Sequence, residues 1–182
     1  VAYGQILRRP LLELAPRGCL NVHASLLPRY RGAAPIQWAI ARGERATGVT
    51  VMYVNKRMDE GDIVAQRSEP ILDDDTAGSL HDRLARVGAA LLLETLDLVR
   101  AGAAPRIPQD HSLATYAPKL DKADGRIAWA MSAVELRNRV RAFNPWPGCR
   151  CEWPGPRPRL LKVLAAGIEP GRPGAAPGTV LD

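Results

Sequence analysis

Asn21-Val22-His23-Ala24-Ser25-Leu26-Leu27-Pro28-Arg29-Tyr30-Arg31-Gly32-Ala33-Ala34-Pro35-Ile36-Gln37 decides how the rest of the chain is read. Leu20 to His23 alternates as a strand does, and a period of two puts the Asn21 and His23 side chains on one face. From Ser25 to Gly32 the chain is a loop punctuated by Pro28 and Gly32. Ala34 to Ile40 predicts a helix with Pro35 near its N-terminus, where a missing N–H does no harm, and Gly43 is its natural stop. Strand, loop and helix in this order predict an α/β unit whose polar face lies near a strand end, the place where open α/β sheets bind ligands.

Outward from this stretch the periodicities continue. Pro10 to Leu14 reads as a short helix. Val49 to Val54 is β-branched and apolar and reads as a strand. Met58-Asp59-Glu60-Gly61-Asp62 is a turn, and Ile63 to Arg67 is a strand returning from it. Asp73-Asp74-Asp75-Thr76 precedes a long helix whose apolar positions Leu80, Leu84, Val87, Leu91, Leu92, Thr95 and Leu98 keep helical spacing up to Gly102. Ala103 to Asp124, rich in proline and polar residues, predicts an inter-domain linker. Ser132-Ala133-Val134-Glu135 is a capping box opening a helix through Leu136, Val140 and Phe143. Asn144-Pro145-Trp146-Pro147-Gly148 ends that helix, and Leu160 to Leu164 belongs to a small β unit.

At 182 residues the chain is one domain or parts of two. A hydrophobic share of 46% and a charged share of 24% are globular values and exclude a disordered or collagen-like chain. No apolar run approaches the roughly 18 to 20 residues of a membrane span, and no secretory signal is visible, so a cytoplasmic protein is expected. Three cysteines without disulfide or zinc spacing fit a reducing compartment. The net charge of +6 suggests acidic partners such as nucleic acid, although an arginine-favouring coding bias explains it equally well. Val1 lies inside an apolar stretch and Thr179-Val180-Leu181 resembles a strand start, so a fragment of a longer chain is expected.

Asn21, His23 and Asp59 are the candidate chemical centre. An amide, an imidazole and a carboxylate can polarise a carbonyl, hold an oxyanion and move a proton. No side-chain nucleophile accompanies them. Ser25 lacks a nucleophile elbow, and Cys19 has no helix N-terminus to activate it. The nucleophile then belongs to the substrate, which describes group transfer to an amine or hydroxyl. On spacing alone, Asn21 and His23 also fit a hydrogen-bonded structural pair. Cys and His do not cluster at metal-ligand spacing, so no metal is expected.

The opening stretch closely resembles the central motif of the methionyl-tRNA formyltransferase family, enzymes that depend on 10-formyltetrahydrofolate. Val1 to Leu7, Gly48 to Met52, Met58 to Ile63, Ala114 to Leu120 and Arg141 to Gly148 resemble further family segments in the same order. The resemblance implies an α/β fold: the C-terminal part of a Rossmann-like formyltransferase domain at 1–104, a linker at 105–124, and part of an OB-like β-barrel, the tRNA-binding domain, at 125–182. Such a sheet is largely parallel and needs both faces covered, so this chain by itself is expected to leave strands open.

The same resemblance places the family's catalytic residues on Asn21, His23 and Asp59, and its folate motif on Ser25, Leu26, Leu27 and Pro28. The pterin pocket is expected near Gln5, Ile6 and Leu7 and near Val54 to Asp59. The implied reaction carries a formyl group from 10-formyltetrahydrofolate to the amine of initiator methionyl-tRNA, with Asp59 orienting His23 and relaying the proton. Arg137, Arg139, Arg141, Arg150, Arg157 and Arg159 are expected at tRNA phosphates, and a monomer is expected at full length. Glu60 stands where the family usually has a small residue and adds a charge beside Asp59. The competing expectations are a formyltransferase acting on an amino sugar nucleotide and an inactive basic RNA-binding module.

Overall fold

The computed structural model describes residues 9–153 and 159–180. In chain order the elements are α1 (Arg9–Glu13), β1 (Leu20–His23), β2 (Arg31–Gly32), α2 (Pro35–Ala41), β3 (Ala46–Tyr53), β4 (Ile63–Pro70), α3 (Ala77–Arg100), a 3-10 turn at His111–Leu113, β5 (Tyr116–Ala117), α4 (Ala133–Ala142), β6 (Cys149–Trp153) and β7 (Arg159–Val163). The strands and helices predicted between Pro10 and Leu164 form, whereas Thr179 and Val180, which resemble a strand start, belong to no strand. β3 and β4 run several residues further than the β-branched core of each suggests.

The main sheet has three strands in the order β1-β3-β4. β3 is antiparallel to both neighbours, with Val22 opposite Val51, His23 opposite Thr50, and Thr50 opposite Gln66. The largely parallel sheet expected from the resemblance is therefore not what these strands make. An antiparallel sheet can bury one face and leave the other polar, and this one does. Leu20, Val22, Val49, Val51 and Ala65 face α3 in the main core, while Asn21, His23, Thr50, Met52 and Gln66 alternate onto the opposite face.

α3 is built to lie on that apolar face. Thr76 caps it in a reciprocal pair with Ser79, and its buried positions Ala77, Leu80, Leu84, Gly88, Leu91 and Thr95 keep a single stripe. Leu98, expected on that stripe, is exposed, because the sheet ends before the last helical turn. Gly88 sits where a Cβ would stand 3.0 Å from Val22 Cγ1.

α4 begins at the predicted capping box of Ser132 and Glu135. Its apolar residues Val140 and Phe143 enter the same core as Ile36 and Ile40 of α2 and Leu80 and Leu84 of α3, with Phe143 edge-on to Trp38. Three arginines expected at phosphates fasten this helix to the body. Arg137 donates to Asp73 O, Arg139 to Asp124 O, and Arg141 to the carbonyls of Leu72 and Asp75. Arg150 likewise donates to Lys122 O. Arg157 lies outside the described residues, and Arg159 is exposed.

The stretch expected to be a loose linker is bound to the body. Ile107 bridges Ile63 by two backbone bonds, Tyr116 and Ala117 pair in parallel with Arg31 and Gly32, and Leu120 is buried. Proline there interrupts helix and sheet but does not prevent side chains from burying. Beyond α4 the described residues add one antiparallel hairpin, β6–β7.

Asp75 anchors the turn into α3. Its carboxylate accepts from Arg83 at 2.6 and 2.9 Å, from Leu72 N–H at 2.7 Å and from the Ser79 hydroxyl at 2.9 Å. Burial pushes this carboxyl up, but Arg83, Leu72 and Ser79 together hold it below the ordinary carboxylate range. A depressed carboxylate stabilises the fold above its unfolded pKa of about 3.9, and the gain is lost as pH falls through the folded value. Unfolding titrations of the complete protein should therefore show Asp75→Asn costing clearly more stability at pH 7 than near pH 3. An equal cost at both would contradict the assignment.

Candidate active site

The polar face of the sheet meets two loops. The first, Ser25 to Tyr30, is fixed by Thr50, whose hydroxyl donates to Ser25 O at 2.6 Å and accepts from Leu27 N–H at 3.1 Å and Gln66 Nε2 at 2.8 Å. Gln66 also donates to Leu27 O. Within the loop the buried Ser25 hydroxyl donates to Arg29 O at 2.6 Å, Leu26 lies over Gly48, and Leu27 is buried with Met52 and Ile63. Pro28 is half-buried. The Ser-Leu-Leu-Pro stretch is thus a rigid wall of the polar face.

The second loop carries Asp59, whose φ of 53° lies in the left-handed region. An aspartate tolerates this better than most residues but still needs outside support. Its Oδ2 accepts from Gly32 N–H at 2.9 Å. Gly61 is held close because a side chain there would run into Tyr53 O.

His23 is buried at the end of β1. Its Nε2 lies 2.8 Å from Tyr30 O. A carbonyl only accepts, so Nε2 carries the hydrogen and Nδ1 is left with its lone pair in the neutral ring. Nδ1 lies 3.7 Å from Asp59 Oδ2, beyond hydrogen-bond length. The ring is therefore oriented by the Tyr30 carbonyl and not by Asp59, which differs from the sequence expectation. Asp59 Oδ2 stands within ion-pair distance of Nδ1 without a hydrogen bond to it. Asn21, two residues back on the same face, is half-buried, and its carboxamide makes no hydrogen bond among the described residues.

Tyr30, itself at a φ of 60°, is buried and well anchored. Its hydroxyl donates to Glu44 at 2.7 Å, and Arg29 also pairs with Glu44. Burial pushes the phenol up, with Glu44 adding to the effect, so it stays a donor. The arginine beside it was passed over by sequence reasoning. Arg31 is 1% exposed, and its guanidinium contacts Gln109, His111 and, at 3.4 Å, Glu60. Glu60 is thereby faced by Arg31 and Arg57. Arg31 and Gln109 are 78 positions apart, so no local pattern could have joined them.

The structure thus brings together Asn21, His23, Asp59 and the Ser25–Pro28 loop. Gln5, Ile6 and Leu7, expected at the pterin pocket, lie outside the described residues. Among the described residues no group of three or more His, Cys, Asp or Glu side chains could hold a metal ion, and no helix is long and apolar enough to cross a membrane.

Comparison with known proteins bears on this centre. A family described as formyl transferase matches residues 1–96, and one described as formyl transferase, C-terminal domain, matches 119–182. A methionyl-tRNA formyltransferase of Symbiobacterium thermophilum is 57% identical over 182 residues, all of this chain and 55% of that protein. One of Desulforamulus reducens is 51% identical over 183 residues, covering 57% of its length. The chain spans a little over half the length of these curated relatives. The crystal structure of an N-formyltransferase from Helicobacter canadensis, solved with folinic acid and dTDP-3-aminofucose, superposes with a TM-score of 0.64 at 25% identity over 68% of this chain and 46% of that one. With a family match over residues 1–96, which include the polar face of the sheet, and relatives identical at about half of this chain's positions, this chain belongs to the formyl transferase family.

Proposed function

We propose that the protein of which this chain forms part transfers a formyl group from 10-formyltetrahydrofolate to the amine of initiator methionyl-tRNA in the cytoplasm. What carries the chemistry is one observation: an uncommitted carboxamide and an imidazole whose free Nδ1 faces a carboxylate share one sheet face. The roughly half-identical relatives, which are methionyl-tRNA formyltransferases, support methionyl-tRNA as the acceptor. A folate donor agrees with the folinic acid in the Helicobacter canadensis enzyme. Ser25, Leu26, Leu27 and Pro28 would wall the donor site, with the pterin near Gln5, Ile6 and Leu7.

The roles follow from the hydrogen bonds. The acceptor's neutral amine attacks the formyl carbon, a new C–N bond forms, and the carbonyl π pair moves onto oxygen. Asn21 Nδ2 donates to that oxyanion. Neutral His23 has already given its Nε2–H to Tyr30, so its Nδ1 takes the amine proton, and Asp59 stabilises the imidazolium across 3.7 Å. As the intermediate collapses, the C–N10 bond of the donor breaks and the proton passes to N10. Tetrahydrofolate leaves with the proton, and the formylated amine remains on the tRNA.

We also read the chain as three parts: a portion of a Rossmann-like catalytic domain at 1–104, a bound connecting segment at 105–124, and a portion of an OB-like barrel at 125–182 that includes the β6–β7 hairpin. α4 of the third part is the element that docks it onto the first.

Single-turnover assays on the complete protein test the centre. Asn21→Ala removes one preorganised donor and should slow transfer by about 10²–10³. His23→Ala combined with Asp59→Asn should be little slower than the worse single variant, because groups acting as a unit are non-additive. Additive losses accompanied by lowered melting temperatures would make these residues structural. Faster formylation of a dTDP-amino sugar than of methionyl-tRNA would turn the reading to the sugar enzyme.

The arginines of α4 give a separate test. Because Arg137 and Arg141 are committed to backbone carbonyls, their replacement by alanine should destabilise the complete protein by about 2–3 kcal/mol, the scale of charged hydrogen bonds. The slope of log tRNA affinity against log salt should stay unchanged. A slope shallower by about one unit per arginine would restore them as phosphate ligands.

A further inference from the structure

Gln109 lies in the connecting segment, is 7% exposed, and has every polar group engaged. Its Oε1 accepts from Arg31 Nε at 3.1 Å and from Arg31 NH2 at 2.7 Å. Its Nε2 donates to Asp59 O at 2.9 Å and to Gly61 O at 2.8 Å. Chemistry fixes this orientation: the guanidinium only donates and the two carbonyls only accept, so the carboxamide cannot be turned over.

We propose that Gln109 is a positioning residue for the transfer reaction, placing the Asp59 carboxylate against His23 by clamping the backbone on both sides of Glu60. The inference rests on the role given to Asp59 above. Asp59 occupies a left-handed conformation, and a buried carboxamide that takes the carbonyls on both sides of Glu60 constrains it. Arg31 closes the circuit. It is bracketed in sequence by Tyr30, whose carbonyl orients His23, and Gly32, whose amide holds Asp59. The base and the carboxylate are therefore referenced to the same three residues, one through the backbone and the other through the backbone and Gln109.

Two substitutions in the complete protein test this. Gln109→Leu removes both donors. Gln109→Glu keeps an acceptor for Arg31, now a charged one, but turns an acceptor toward two carbonyls, so it retains the contact with the buried guanidinium and breaks the clamp. In both, hydrogen exchange at the Gly32 amide should quicken up to about tenfold, the value of one net hydrogen bond, while Val49 and Val51 amides of β3 keep their rates. Turnover should fall by up to about 10², the scale of an ångström-sized misplacement, with KM for both substrates within about twofold. In an Asp59→Asn background the same substitutions should cost almost nothing further. Unchanged Gly32 exchange, or an equal loss with and without Asp59, would overturn the proposal. If the unsubstituted protein fails to transfer formyl, the reading of function falls and the exchange comparison alone decides the clamp.

Discussion

The parallel pairing of Arg31 and Gly32 with Tyr116 and Ala117 is the constraint on which the site depends. It is only two residues long, yet it seats a glycine at a φ of 114° where a Cβ would stand 2.6 Å from Ala117 O. Any side chain there would pry the pair apart. With Gly32 in place, its amide reaches Asp59, the Tyr30 carbonyl reaches His23, and the Arg31 guanidinium turns inward to Gln109. A buried cation is tolerated because Gln109, His111 and Glu60 surround it. Glu60, expected only to add a charge beside Asp59, is part of that compensation.

The rest of the fold holds this pairing at the polar face. The antiparallel sheet buries its aliphatic side under α3 and presents Thr50 and Gln66 on the other, where they lash down the Ser25–Pro28 loop. The segment carrying Gln109 and Tyr116 is itself fixed at Ile63 and Leu120. α4 closes the far side of the core by burying Phe143 and binding carbonyls through its arginines. Burial of such an aromatic is worth several kcal/mol. Four arginines of this region, Arg137, Arg139, Arg141 and Arg150, thus donate to backbone carbonyls of the chain.

Much of this was legible in the sequence, for reasons of local physics. Strand alternation put Asn21 and His23 on one face, the capping boxes of Thr76 and Ser132 marked two helix starts, and the order of motifs pointed to the family. What was not legible lay in long-range pairing. The turn at 58–62 marked β3 and β4 as a returning pair, but periodicity cannot tell a parallel from an antiparallel partner, so the antiparallel pairing of β1 with β3 went unforeseen. Pro-rich composition at 103–124 concealed a segment whose buried Gln109 and Leu120 tie it to the body. Arg31 read as one more basic residue because its partners lie 29 and about 80 positions away. A carbonyl that orients a histidine ring has no sequence signature at all, which is why Asp59 was credited with the task of Tyr30.

In the mechanism proposed above, Asn21 and the Nδ1 side of His23 face the reacting carbonyl. A crystal structure of the complete protein with a stable formyl-donor analogue tests it most directly. The formyl oxygen should lie within about 3 Å of Asn21 Nδ2, with His23 Nε2 still on Tyr30 O and Nδ1 open toward the formyl carbon. A donor whose formyl group lies away from this face, or a His23 ring turned so that Nδ1 binds Tyr30 O, would contradict it.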